Sequence, residues 1–309
     1  MTQRVDAQSW PSLPFDAWKD SSQTLHLWLQ IVGKIRLAQS PWTNHSWHTT
    51  LYLTASGLTT SVMAHGARSF QIDFDFLEHA LVIRTDSGRG ARIALEPQPV
   101  ATFYARVMRE LTGLGLPVRI YARPNEIPDT VRFEDDTSPR AYDAEYVTRY
   151  WRALLQAGRV FTRFRARFIG KCSPVHLFWG APDLAVTRFS GRRAPVHPGG
   201  VPNLPDRVTR EAYSHEVSSC GFWAGNAAMP YAAFYAYAYP EPAGFSNAAV
   251  LPTGASYNTD FREFILPYDV VRESASPDDT LLEFLQSTYE AAADLAHWDR
   301  SELERTTLP

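Results

Sequence analysis

The chain is short of several things, and each shortage excludes a class of protein. Two cysteines in 309 residues, Cys172 and Cys220, are too few for a disulfide framework. No apolar run approaches the ~20 residues that a helix needs to cross a bilayer. Lys and Arg (30) do not outnumber Asp and Glu (33), and a net charge of −3 argues against a general nucleic-acid binder. The opening MTQRVDAQSWPSLP lacks the charged-then-apolar order of a signal peptide. No HExxH, CxxC or GxSxG is present, and neither Gly-Lys pair belongs to a GxxxxGK[ST] loop. The expectation is a cytoplasmic protein with reduced thiols that binds neither nucleic acid nor membrane. What is abundant is core material: 45% hydrophobic residues and 13% aromatics, with nine tryptophans.

Periodicity divides the chain into three stretches: an N-terminal half (1–121), a connector (122–140) rich in proline and acid, and a C-terminal half (141–309). Helical spacing of Leu25, Trp28, Leu29, Val32 and Ile35 predicts a helix from Ser21 or Ser22 to about Leu37. Strands are expected at 48–54, 58–63, 70–76, 81–85, 91–95 and 116–121. FQIDFDF (70–76) is the clearest, with Phe and Ile on one face and Gln and Asp on the other. Helices follow at 99–114 and 142–169, the second open to a break at Gly158. The second half offers strands at 175–179, 184–189, 215–222, 232–239 and 263–266, and a last helix at 278–296. This order predicts an α+β fold of two similar halves, each an antiparallel meander covered by helices. Collinear echoes suggest an internal duplication: Gly33-Lys34 with Gly170-Lys171, LYLTASG with AVTRFSG, and FQIDFDF with AFYAYAY.

That register pairs His26, Gln30 and Lys34 with Arg163, Arg167 and Lys171, each trio forming one polar helix edge. Should the edges meet, their charges would need an anion between them. Arg188 and Arg192, in the turn-forming stretch around SGRR, are candidates to hold a carboxylate or phosphate in bidentate fashion. Proton transfer would fall to His176, His215, Glu216 or Asp183, polar groups in otherwise apolar strands. Asp183 and Glu216 would rise in pKa on burial unless an arginine pairs with them, and an Asp–Arg pair bracing the SGRR turn is the plainer use of Asp183. His176, His215 and Glu216 would also suit a mononuclear metal, although the spacing specifies none and no cofactor is indicated.

Several long motifs carry a resemblance: TLHLWLQIVGKIRL, SPVHLFWGAPDLAVTRFSGRRAP, YSHEVSSCGFWAGN, AFYAYAYPEP and LLEFLQSTYEAAADLAHWDR. From about Trp10 to Leu303 the chain resembles a bacterial family of uncharacterised proteins classed as a domain of unknown function. The resemblance implies a free-standing bacterial protein and no activity or catalytic residue. The function expected from the residues is therefore a small-molecule enzyme or binder for an anionic ligand in the cleft between the halves. The alternative is a non-catalytic protein–protein interaction module. A pocket uniting His176, Arg188 and His215 would favour the first.

Overall fold

Alternation and helical stripes dictate most of the architecture, which a computed structural model describes for residues 9–127, 129–201 and 203–305. The first half holds α1 (Phe15–Gln39), β1 (Tyr52–Leu53), β2 (Gly57–Thr59), β3 (Met63–His65), β4 (Arg68–Asp75), β5 (Ala80–Thr85), β6 (Gly90–Ala94) and α2 (Val100–Gly113). After an irregular connector come α3 (Ala144–Ala166), β7 (His176–Phe178), β8 (Asp183–Arg193), α4 (Asp206–Ala212), β9 (His215–Trp223) and β10 (Ala233–Tyr239). The chain continues through β11 (Ser256–Asn258), β12 (Glu263–Pro267), α5 (Tyr268–Arg272), α6 (Pro277–Leu295) and α7 (Arg300–Leu303). The fold is α+β, with two antiparallel six-stranded sheets. The first runs β1-β2-β4-β5-β6 with β3 also on β4, and the second β11-β12-β10-β9-β8-β7.

In β4 the alternation places Phe70, Ile72 and Phe74 in the core, at 2% exposure or less. β10 sorts its residues the same way. Phe234 and Ala236 are buried towards the helices, with Phe161 of α3 meeting Phe234 edge-on at 6.2–6.3 Å in company with Trp10. Tyr235, Tyr237 and Tyr239 stand on the opposite face. One hydrophobic cluster runs from Trp10 to Trp298 through both sheets. The halves are also joined by backbone: Leu51 and Leu177 exchange hydrogen bonds of 2.9 and 2.8 Å.

Several expectations shift for physical reasons. α1 begins at Phe15, right after Pro14, because Phe15 and Trp18 extend the apolar stripe backwards. Gly33 does not end that helix. It lies mid-helix against Trp179, whose ring a Cβ at Gly33 would approach to 2.2 Å. Gly170, by contrast, follows the end of α3, so the two Gly-Lys pairs occupy different settings. LYLTASG spans a two-residue strand and a turn, whereas AVTRFSG is the middle of eleven-residue β8. Gly158 leaves α3 unbroken and lies under Leu53. Residues 116–121 form no strand, and 58–63 splits into β2 and β3 around a left-handed Ser61 (φ 56°). No helix among the described residues is long and apolar enough to cross a membrane.

Candidate functional site

The polar edge of α1 forms as its spacing demands, and it docks on the connector. His26 Nε2 donates to the Gly180 carbonyl at 2.7 Å. Gln30 clasps the Asn125 backbone from both sides, donating to its carbonyl at 2.8 Å and accepting from its N–H at 2.7 Å. Lys34 donates to the Asn125 side chain and lies 5.6 Å from the ring centres of Tyr121 and Trp179. Burial holds His26 neutral, its pKa lowered to about 4, and lowers Lys34 to about 8. With its Nε2 proton committed to Gly180, His26 keeps Nδ1 as an acceptor.

This docking encloses a cavity of about 630 Å3 between α1, the connector, the Gly180–Pro182 turn and the loop after β9. Phe15, Trp18, Tyr150 and Trp223 supply aromatic wall, and His26, Glu126 and Asp129 supply polar groups. Lys19 and Arg140 also line it, but each is tied to an acid: Lys19 to Asp16 at 3.3 Å, Arg140 to Asp136 at 2.5 Å. Trp18 and Tyr150 pack ring on ring at 5.1 Å, and the indole N–H and phenol hydroxyl are both buried without a partner.

Asp183 lies behind this wall. It opens β8 beside the lining Pro182, pairs in register with Trp223, and bears electrostatically on Tyr150 and Glu126. Tyr235 donates to its Oδ2 at 2.5 Å. Two glycines make room. A Cβ on Gly180 would meet a Glu126 carboxylate oxygen at 2.0 Å, and one on Gly221 would meet the Tyr235 hydroxyl at 2.4 Å. Burial, opposed by the Tyr235 hydrogen bond and reinforced by Glu126, raises Asp183 to about 7. Burial and then the Asp183 charge raise Glu263 of β12 to about 7, and burial raises Glu126. By surface area Glu126 is exposed, yet protein crowds around it, as expected of a group in a concave wall. That crowding, more than the area open to water, governs its electrostatics.

The other expected site residues go elsewhere. Arg163 pairs with Asp278 (3.5 Å) and Asp279 (3.6 Å) at the start of α6. Arg167 caps α3 and gives its carbonyl to Arg305. Thus the two cationic edges are answered by different elements, and the common anion between them is not built. Arg188 points to the helix side of β8. It is 1% exposed, donates to the Phe164 carbonyl, and lies 4.2 Å from the Tyr289 ring centre. Arg192 braces the SGRR turn, but against Glu216 (2.7 Å) rather than Asp183, and that acid also accepts from Ser190 at 2.8 Å. His176 is fully buried, edge-on to Phe178 at 4.6 Å, with its pKa lowered by burial to about 4. Among the described residues His176, Arg188 and His215 are therefore not brought together. Among the described residues no three His, Cys, Asp or Glu side chains gather as a metal site, so the trio of His176, His215 and Glu216 does not assemble.

Lys171 and His215 do meet, in a second cluster with His45. Lys171 Nζ lies 2.7 Å from His45 Nε2, 4.8 Å from the Phe189 ring centre and 5.6 Å from that of Trp47. His45 Nδ1 donates to the Ala212 carbonyl at 2.9 Å, and its ring centre is 6.2 Å from that of His215.

The model of a family of unknown function, DUF5996, matches residues 10–305, a span containing both clusters. The chain belongs to that family. Neither a curated protein nor a solved structure matches it. Membership in DUF5996 brings no residue roles, so the site must be read from its own geometry. Sequence reasoning reached His26 and Asp183 but missed Glu126, Glu263 and Tyr150. Glu126 sits in an irregular connector with a left-handed backbone (φ 59°), and no periodicity marks such a position.

Proposed function

We propose that the chain binds a small organic cation in the cavity between α1 and the second sheet. Glu126 would pair with the ligand, and Asp183 behind the lining would feel the ligand's charge and give up a proton in response. The reading keeps the small-molecule site between the halves but reverses the sign of the ligand. What carries it is the imbalance of charge. Glu126 and Asp129 line the cavity and Asp183 backs it, while the two lining cations are already committed to other acids. Carboxyl groups raised by burial with no cation beside them are the groups that a bound ammonium or guanidinium would satisfy. Aromatic faces favour the same ligand, since a cation over Trp or Tyr gains roughly 0.5–2 kcal/mol. The volume suits a ligand of drug-like size or smaller.

The acid–base capacity follows from the same groups. Asp183, raised to about 7, can hold or release a proton near neutrality, and Tyr235 fixes its orientation. His26 Nδ1 offers a neutral base in the same lining. The two unpaired cysteines keep a reducing, cytoplasmic setting within the proposal. The test is thermal shift against aryl-alkylamines, guanidines and matched carboxylates. Stabilisation by the amines that is lost in Glu126→Gln supports the reading. Stabilisation by the carboxylates alone, or by nothing, removes it.

A further inference from the structure

Lysine occurs three times in this chain, at 19, 34 and 171, among 30 Lys and Arg residues. Lys19 is exposed and paired with Asp16, and Lys34 is buried on Asn125. Lys171 differs from both: it is exposed, and its hydrogen-bond partner is a neutral base. Its backbone is pinned, because Phe189 N–H donates to the Lys171 carbonyl at 3.0 Å and Cys172 bridges Arg188. No carboxylate lies within salt-bridge distance of it among the described residues.

His45 is placed as a proton acceptor. Its Nδ1 proton goes to the Ala212 carbonyl, so its Nε2 lone pair faces the lysine. His45 and Ser46 both hold left-handed backbone, φ 56° and 58°, a conformation costly for non-glycine residues and common where geometry serves function. Burial, the Ala212 hydrogen bond, Lys171, His215 and Glu211 all bear on the His45 ring, with burial the largest, and the balance keeps it neutral. Desolvation lowers the Lys171 pKa, and no acid opposes it. A partly desolvated lysine hydrogen-bonded to a neutral base is a usual setting of an amine nucleophile. His215, held neutral by burial and by the charges of Lys171 and Arg193, lies near both of those cations, and Arg193 pairs with it in register.

We infer that Lys171 is a nucleophilic amine that condenses with the carbonyl group of an α-oxo acid, His45 moving the proton and Arg193 with His215 holding the carboxylate. The free amine attacks the carbonyl carbon. A C–N bond forms, and the carbonyl π pair moves to oxygen. One N–H proton passes by way of His45 Nε2 to that oxygen, giving a carbinolamine hydroxyl; the second N–H proton follows the same route, the hydroxyl leaves as water, and the C=N bond forms. Trp47 and Phe189 wall the adduct. No oxidant or reductant is consumed.

The full chain is incubated with pyruvate and sodium cyanoborohydride, which reduces an imine to a stable amine, and modified lysines are mapped by mass spectrometry. The expected result is one adduct, on Lys171, formed at least several-fold faster than any on Lys19 or Lys34. It should disappear in Lys171→Arg and slow several-fold in His45→Gln. Because His45→Gln could unfold its turn, a second measurement uses wild type: methyl pyruvate, which keeps the ketone but masks the carboxylate, should react more slowly than pyruvate. Equal labelling of Lys19 and Lys171, no adduct, or equal rates for the two carbonyl compounds would overturn the inference. The site shares no residue with the cavity, so either can fail without the other.

Discussion

Asp183→Asn is the most discriminating change that the electrostatics offer. The folded protein holds the Asp183 proton up to about pH 7, while an unfolded chain releases it near 3.8. Between those limits the unfolded state binds fewer protons, so stability present at acid pH is lost as pH rises through the window. Moving a carboxyl from 3.8 to about 7 corresponds to about 4 kcal/mol, at about 1.4 kcal/mol for each tenfold change in proton affinity. Glu263 is raised from 4.5 to about 7 partly by Asp183 itself, so the two contributions overlap. The substitution should therefore stabilise the protein by roughly 2–4 kcal/mol at pH 8. At pH 5 it should be within about 1 kcal/mol of wild type, since the carboxamide oxygen of the variant can still accept from Tyr235. Urea denaturation at the two pH values reads this difference directly. Equal destabilisation at both, or wild-type stability flat from pH 5 to 8, would refute the claim of an unpaired buried carboxyl.

Further outcomes follow from the packing. Gly221→Ala should cost about 1–3 kcal/mol, because the new methyl meets the Tyr235 ring and the Leu184 carbonyl; unchanged stability in a denaturant titration would contradict it. Arg188→Ala should cost about 2–4 kcal/mol through the void left among Phe164, Phe168 and Tyr289. Arg188→Met, which refills that space, should cost less, and equal damage by the two would mean that the charge itself is required. Cys172, its thiol raised to about 11 chiefly by burial, should react with a disulfide reagent at pH 7.5 far more slowly than a free thiol. Rapid modification would contradict that placement.

Much of the architecture was readable because long periodic segments leave little choice. FQIDFDF and AFYAYAY commit whole strand faces, and the stripes of α1, α2, α3 and α6 fix which side meets the sheets. Boundaries and short elements were less readable. The stretch 44–50 turns rather than extends, and α4 has too few residues for a period to show. The site was harder for a different reason. Spacing along a helix shows that His26, Gln30 and Lys34 share an edge, but not that a connector ninety residues on will cover it. The same holds for Arg163, whose partners lie on α6, and for Arg188, whose side of β8 depends on which sheet face the helices cover. Asp183 stood out by its apolar neighbours; Glu126 had no such contrast.

The central claim is that an acidic, partly protonated cavity receives a cation. Isothermal titration calorimetry with a binding amine from the panel, at pH 7 in buffers of differing ionisation enthalpy, tests it most directly. A cation beside Asp183 must lower that acid's proton affinity, so binding should release protons to the buffer, with the release abolished in Asp183→Asn. Binding whose heat is the same in every buffer, or proton release that survives Asp183→Asn, would contradict the account.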